Sequence, residues 1–156
     1  MFRNICLIGM PYSGKTYLSR KLYRPFNKGL IDTDDLIKAK YNRELHEIIQ
    51  SVGNEKFLNI ENDIIKTIIC KNTIIATGGS VIYHDSSMEH IKKILDAEIY
   101  HLYITYPEFI RRINNIQSRG VIMEPGYNYR MLYDERIELY NKYADYTFNV
   151  DPLDFN

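Results

Sequence analysis

The sequence predicts an α/β domain, a parallel sheet with helices packed against it. Three observations predict it. Apolar runs rich in branched residues recur at 5–8, 29–32, 73–77, 98–105 and 146–150, as expected of strands buried on both faces. Longer stretches with helical spacing lie between them, and such alternation implies parallel strands joined by right-handed crossovers. Between the first strand and the first helix, Gly9-Met10-Pro11-Tyr12-Ser13-Gly14-Lys15-Thr16 spells a phosphate-binding loop in the context that its chemistry requires.

The helical segments are expected at 15–23, 34–41, 44–52, 55–70, 88–95, 107–117 and 131–143. The first has Leu18 and Leu22 four residues apart with basic residues between them, an apolar stripe on a polar helix. Pro107 suits the first turn of its helix, where a missing N–H costs nothing. The stretch 118–128, with Gly120, Pro125 and Gly126, interrupts the pattern between two helices and is expected to be a mobile loop.

A chain of 156 residues is one domain with room for a covered sheet. Its formal net charge is zero, which argues against nucleic acid and against a membrane surface as partners. The first residues carry no signal-peptide pattern, and 5–10 is too short to span a bilayer. Cys6 and Cys70 sit in apolar stretches and read as buried thiols in a reducing compartment. A cytoplasmic monomer is expected. His46, His84, His90 and His101 show no metal-ligand spacing and read as structural or surface residues.

The loop's backbone N–H groups and the helix end behind it favour a polyphosphate, so a nucleoside triphosphate is the expected ligand. Lys15 reaches the terminal phosphates and the Thr16 hydroxyl suits Mg²⁺. In open α/β sheets ligands gather beyond the carboxyl ends of the strands. After the second strand stands Asp32-Thr33-Asp34. On an extended segment both carboxylates point the same way, one toward a magnesium shell and one toward a hydroxyl proton. Capping of the next helix by Asp34 or Asp35 is an equal alternative. Thr77-Gly78-Gly79-Ser80 follows the third strand, and paired glycines let backbone approach a ligand closely. Of Arg111, Arg112, Arg119, Arg130 and Arg136, Arg119 lies in the mobile stretch, where an arginine closing over the phosphates stabilises developing charge. At least one of Arg111 and Arg112 is expected on a solvated helix face.

Taken together, these pieces resemble the shikimate kinases, small relatives of the nucleoside-monophosphate kinases. The resemblance rests on 9–16, Asp32-Thr33-Asp34, Gly53 and Phe57 with Glu61, Thr77-Gly78-Gly79, Arg119, Arg136-Ile137-Glu138-Leu139-Tyr140 and Tyr143-Ala144-Asp145. It implies a three-layer P-loop kinase fold with a five-stranded parallel sheet in order 2-3-1-4-5, an acceptor-binding helical region at about 33–61 and a lid at about 112–127. It further implies transfer of the γ-phosphate of ATP to the 3-hydroxyl of shikimate with Mg²⁺. By the same resemblance, ATP is held by Gly9, Met10, Pro11, Tyr12, Ser13, Gly14, Lys15, Thr16 and Tyr17. Arg112 and Pro152 sandwich the adenine. Thr16 binds Mg²⁺ directly and Asp32 through water. Lys15, Asp34 and Arg119 are the catalytic residues. Asp34, Leu58, Gly78, Gly79, Ser80 and Arg136 line the acceptor pocket, with Arg136 on the acceptor carboxylate.

Four pieces depart from the family pattern. Phe-Arg-x-x-Glu is Phe57-Leu58-Asn59-Ile60-Glu61, so one of two carboxylate-clamping arginines is replaced by a leucine that cannot make charge-assisted bonds. Glu61 is then expected to turn to Arg136. The third glycine of Gly-Gly-Gly is Ser80, the lid's Arg-Pro-Leu-Leu is Arg119-Gly120-Val121-Ile122, and a loop glycine is Tyr12. The sequence leaves open a same-fold kinase for a different, non-carboxylate polyol, and a nucleotide-binding protein without kinase activity.

Overall fold

The computed structural model describes residues 3–114 and 121–153. Five parallel strands, β1 (Asn4–Ile8), β2 (Gly29–Asp32), β3 (Thr73–Ala76), β4 (Ala97–Tyr103) and β5 (Tyr146–Asn149), form one sheet in the order β2-β3-β1-β4-β5. β1 is central, pairing Ile5 with Ile74 on one side and with Glu98 on the other. That position explains its continuous apolar run, since both of its faces are covered. At its base the Asn4 side chain donates to the Leu95 and Cys70 carbonyls at 2.6 and 3.0 Å and accepts from the Thr73 N–H at 2.9 Å. One buried amide thus ties three chain segments together. Both edges are short strands, and β5 is exposed along its length.

Helices α1 (Lys15–Leu22), α2 (Thr33–Tyr41), α3 (Leu45–Val52) and α4 (Asn54–Thr67) precede β3. Asp32 caps α2, accepting from the Asp34 and Asp35 N–H groups, so the expected cap at Asp34 or Asp35 is corrected to Asp32. A capping box between Glu44 and Glu47 starts α3. After β3 come a 3₁₀ turn (Val81–Tyr83), α5 (Asp85–Glu89) and a π-helical segment (His90–Ile94). This composite replaces the single helix expected at 88–95. The Ser86 and Ser87 hydroxyls both donate to Asn62 Oδ1 at 2.8 Å instead of to their own backbone. The π turn closes with the Leu95 N–H on the His90 carbonyl. α6 (Tyr106–Asn114) follows β4, and α7 (Tyr129–Tyr143), capped by Asn128, precedes β5.

The main core packs helices on the sheet around Cys6, Ile8, Ile74, Ile75, Ile99, Phe109 and Tyr140. A second, smaller cluster of Ile37, Ile48, Phe57, Ile64 and Ile122 sits among α2, α3 and α4. It holds these helices beside the carboxyl ends of β2 and β3, where the candidate site opens. Cys6 and Cys70 are free thiols. Among the described residues, no helix is long and apolar enough to cross a membrane.

Candidate active site

The phosphate-binding loop leaves β1 through Gly9 and enters α1 through Gly14. A Cβ at Gly9 would lie 2.6 Å from the Leu102 carbonyl oxygen, so only glycine lets the loop pass β4. Gly14 has φ +92°, and the helix that follows has no acidic residue in its first turn. Its amide groups therefore remain suited to an anion. Tyr12, where the family pattern has a glycine, takes φ +66°. Its ring packs on the main core, and its carbonyl accepts from Arg112 Nη1 at 3.1 Å. Met10 and Ser13 are buried; the Ser13 N–H closes a turn on the Met10 carbonyl. Tyr17 is exposed on α1 under the Lys21 ammonium.

Lys15 is buried, and its Nζ donates to the Gly9 and Met10 carbonyls at 2.8 Å each. Burial pulls its pKa down to about 8, with Asp34 and Asp32 opposing the shift and Arg136 adding to it. The Thr16 hydroxyl donates to Asp32 Oδ2 at 2.7 Å. These two hard oxygen donors fit a small divalent cation that keeps most of its waters.

The extended reading of Asp32-Thr33-Asp34 fails because β2 stops at Asp32 and Asp34 belongs to the first turn of α2. The two carboxylates still meet the site, but by different routes. Asp32 divides its oxygens between Thr16 and the helix cap. Asp34 Oδ1 lies 3.0 Å from where a Cβ on Gly78 would be. Burial first, and the Asp32 charge second, raise the Asp34 pKa to about 6.

The chain then threads its two glycines between opposite charges. A Cβ on Gly78 would also lie 2.5 Å from Glu61 Oε1, and one on Gly79 would lie 3.0 Å from Arg136 Nη1. Any side chain at either position would displace these groups. Arg136, 1 % exposed, is held from α7 by the Ile122 carbonyl at 2.7 Å and Tyr83 Oη at 3.2 Å. Tyr140, one turn later on the same helix face, donates to the Gly79 carbonyl at 2.5 Å.

Two of the departures turn out to be linked through Glu61. The expected turn of Glu61 toward Arg136 does not occur as a bond; its Oε2 accepts from Ser80 Oγ at 2.5 Å. The Ser80 hydroxyl is thereby engaged by a neighbouring side chain within the pocket wall. Leu58 packs against the second apolar cluster and offers packing where the acceptor-pocket reading wanted polar contact.

Arg112, the residue expected beside the adenine, is a buried clamp on backbone carbonyls. Besides the Tyr12 carbonyl, its guanidinium reaches the Val150 and Leu153 carbonyls at 3.3 and 3.2 Å and Glu108 at 2.6 Å. Pro152 lies between those two carbonyl residues, so the predicted pair is close in space. Arg111 is the solvated one, paired with Glu108. Arg119 lies outside the described residues. In 121–123, the Ile122 carbonyl meets Arg136 and the Met123 carbonyl meets Asn54.

Sequence reasoning gave no site role to Tyr83, Tyr140 or His101, reading His101 as structural or surface. His101 is fully buried on β4, its ring tilted against the Tyr140 ring with centroids 4.9 Å apart, and burial with the Lys15 charge lowers its pKa to about 4. The spacing of Tyr140 four residues after Arg136 was the one signal available for any of them. Among the described residues no cluster of three or more His, Cys, Asp or Glu could hold a metal.

A family model described as shikimate kinase matches residues 11–154. The chain is 32 % identical over 155 residues to the shikimate kinase of Thermoanaerobacter pseudethanolicus, covering 97 % of this chain and 88 % of that one. It is 31 % identical over 152 residues to that of Helicobacter hepaticus, covering 95 % and 87 %. Among solved structures, a shikimate kinase from Acinetobacter baumannii in complex with shikimate superposes with a TM-score of 0.80 at 24 % identity, covering 96 % and 84 %. That last likeness is one of fold.

Proposed function

Since the chain belongs to the shikimate kinase family, we propose that it transfers the γ-phosphate of ATP to a hydroxyl of shikimate. One observation carries the acceptor half of this reading. The adjacent glycines after β3 put a carboxylate, Asp34, and a guanidinium, Arg136, at the two ends of one side-chain-free stretch of backbone. An acceptor with a hydroxyl at one end and a carboxylate at the other fits that arrangement. A neutral polyol would leave the buried Arg136 charge without an anion, a costly arrangement.

The loop amides and the Lys15 ammonium hold the polyphosphate tail. The Lys15 proton, weakly held when the amine is buried among carbonyls, becomes firmly held once phosphate oxygens are its partners. Asp34 orients the acceptor hydroxyl and accepts its proton as the oxygen attacks in line. A carboxylate with its pKa near 6 is a better proton acceptor than an ordinary aspartate and is still ionised at neutral pH. Arg136 fixes the other end of the acceptor, so that attack geometry is set before reaction. Thr16 would hold Mg²⁺ directly and Asp32 through water, and the ion would supply positive charge against the phosphates. By the family resemblance, the Arg119 guanidinium would stabilise the charge that develops on the phosphate. The proposed working form is a monomer in the cytoplasm.

A coupled ADP-release assay with ATP, Mg²⁺ and shikimate, quinate, gluconate and neutral polyols tests this reading. Turnover with shikimate well above the others is expected. ATP binding without turnover on any acceptor overturns it.

A further inference from the structure

Glu61 is 6 % exposed, yet it has no cationic bond partner among the contacts described for it. Its Oε2 takes one hydrogen bond, from Ser80. Its Oε1 abuts Gly78, on the same side of the backbone as Asp34 Oδ1. Two carboxyl groups therefore converge on one glycine, at the acceptor end of the site. Two anions so placed repel strongly in a desolvated pocket, and one of them keeps its proton. Asp34 has Lys15 and Lys38 to favour its charge, whereas Glu61 has the Ser80 hydroxyl and the more distant Arg136.

We propose that Glu61 is a specificity-determining residue that works in its neutral form, oriented by Ser80, and so leaves the Arg136 charge to an anionic acceptor. The inference rests on the acceptor reading above. With its proton on Oε1, Glu61 presents a donor beside Asp34 and adds no negative charge to the pocket. Ionised, it adds a second anion next to Asp34, draws on Arg136 and repels an acceptor carboxylate. Burial raises the Glu61 pKa to about 8, and the Ser80 hydrogen bond holds it lower than burial alone would. The groups facing it are Ser80 from the segment after β3, Asp34 from α2, and Arg136 and Tyr140 from α7.

The test is the KM for shikimate from pH 6.5 to 9.5 in the natural protein, E61Q and S80A, at saturating ATP and Mg²⁺. The natural protein should show KM rising toward about tenfold per pH unit once Glu61 ionises. E61Q cannot ionise and should lose that limb. S80A removes a bond that favours the anion, so its limb should move to higher pH. A residue with a purely structural role moves neither. Lys15 titrates in the same range, so KM for ATP is followed on the same samples; a limb shared by all three proteins belongs to Lys15. An E61Q limb matching the natural one overturns the inference, as does an S80A limb that stays put or falls. Calorimetric binding of shikimate to S80A replaces turnover if E61Q fails to fold. If the natural protein neither binds nor phosphorylates shikimate at pH 6.5, the acceptor reading falls and takes this inference with it.

Discussion

The guanidinium of Arg112 holds the carbonyl of Tyr12, 100 residues away in sequence, at 3.1 Å. The same side chain bonds the Val150 and Leu153 carbonyls, so one buried arginine joins the phosphate loop to the segment after β5. Arg112→Ala should leave the Tyr12, Val150 and Leu153 carbonyls without this donor, with a stability loss of about 3 kcal/mol in urea unfolding, while Glu108 keeps Arg111 as its partner. KM for ATP should rise more than KM for shikimate. Arg112→Lys should rescue little, because an ammonium cannot span carbonyls placed for a planar fork.

Tyr12 shows what that clamp works against. A tyrosine at φ +66° carries a backbone cost of about 1–2 kcal/mol. Asparagine tolerates the left-handed region and β-branched residues do not. Tyr12→Asn should therefore retain more stability and ATP affinity than Tyr12→Val, by about 1 kcal/mol or more in unfolding. Equal effects for the two would mean that ring packing, not φ, governs this position.

Lys15 is expected to trade stability for function. Its folded pKa of about 8 lies below the unfolded value of 10.5. The unfolded chain thus holds the proton more tightly, and the cost to the fold is complete below pH 8 and fades as pH rises from 8 to 10.5. Lys15→Met should raise the unfolding free energy of the nucleotide-free protein at pH 7 by at most about 3 kcal/mol, and its Tm with it, while lowering kcat by orders of magnitude. ATP should then stabilise the natural protein far more than the variant.

The two roles of Asp32 can be separated. Asparagine caps a helix about as well as aspartate, so Asp32→Asn should leave α2 intact and change stability by less than about 1 kcal/mol. It removes a charge from the magnesium shell, and the Mg²⁺ concentration for half-maximal rate should rise about 10–100-fold. A large stability loss with an unchanged Mg²⁺ requirement would assign Asp32 to capping alone.

Strand positions were legible in the sequence because buried parallel strands need unbroken apolar runs, and β1, β2 and β3 start and stop within a residue of expectation, whereas the strand order came only with the family resemblance. Helix ends were less legible. The start of α5 depends on two serine hydroxyls finding Asn62, a partner more than twenty residues away.

The phosphate loop was determined by the sequence alone, because its geometry is local: two glycines, a lysine and a hydroxyl act at fixed spacing on one turn of backbone. Tertiary structure alone decided where the remaining polar groups point. Glu61 meets Ser80 instead of Arg136, Arg112 clamps carbonyls, and Asp34 sits on a helix. Each outcome follows from which buried donor and acceptor lie within about 3 Å, and that is settled only when α4, α6 and α7 dock on the sheet.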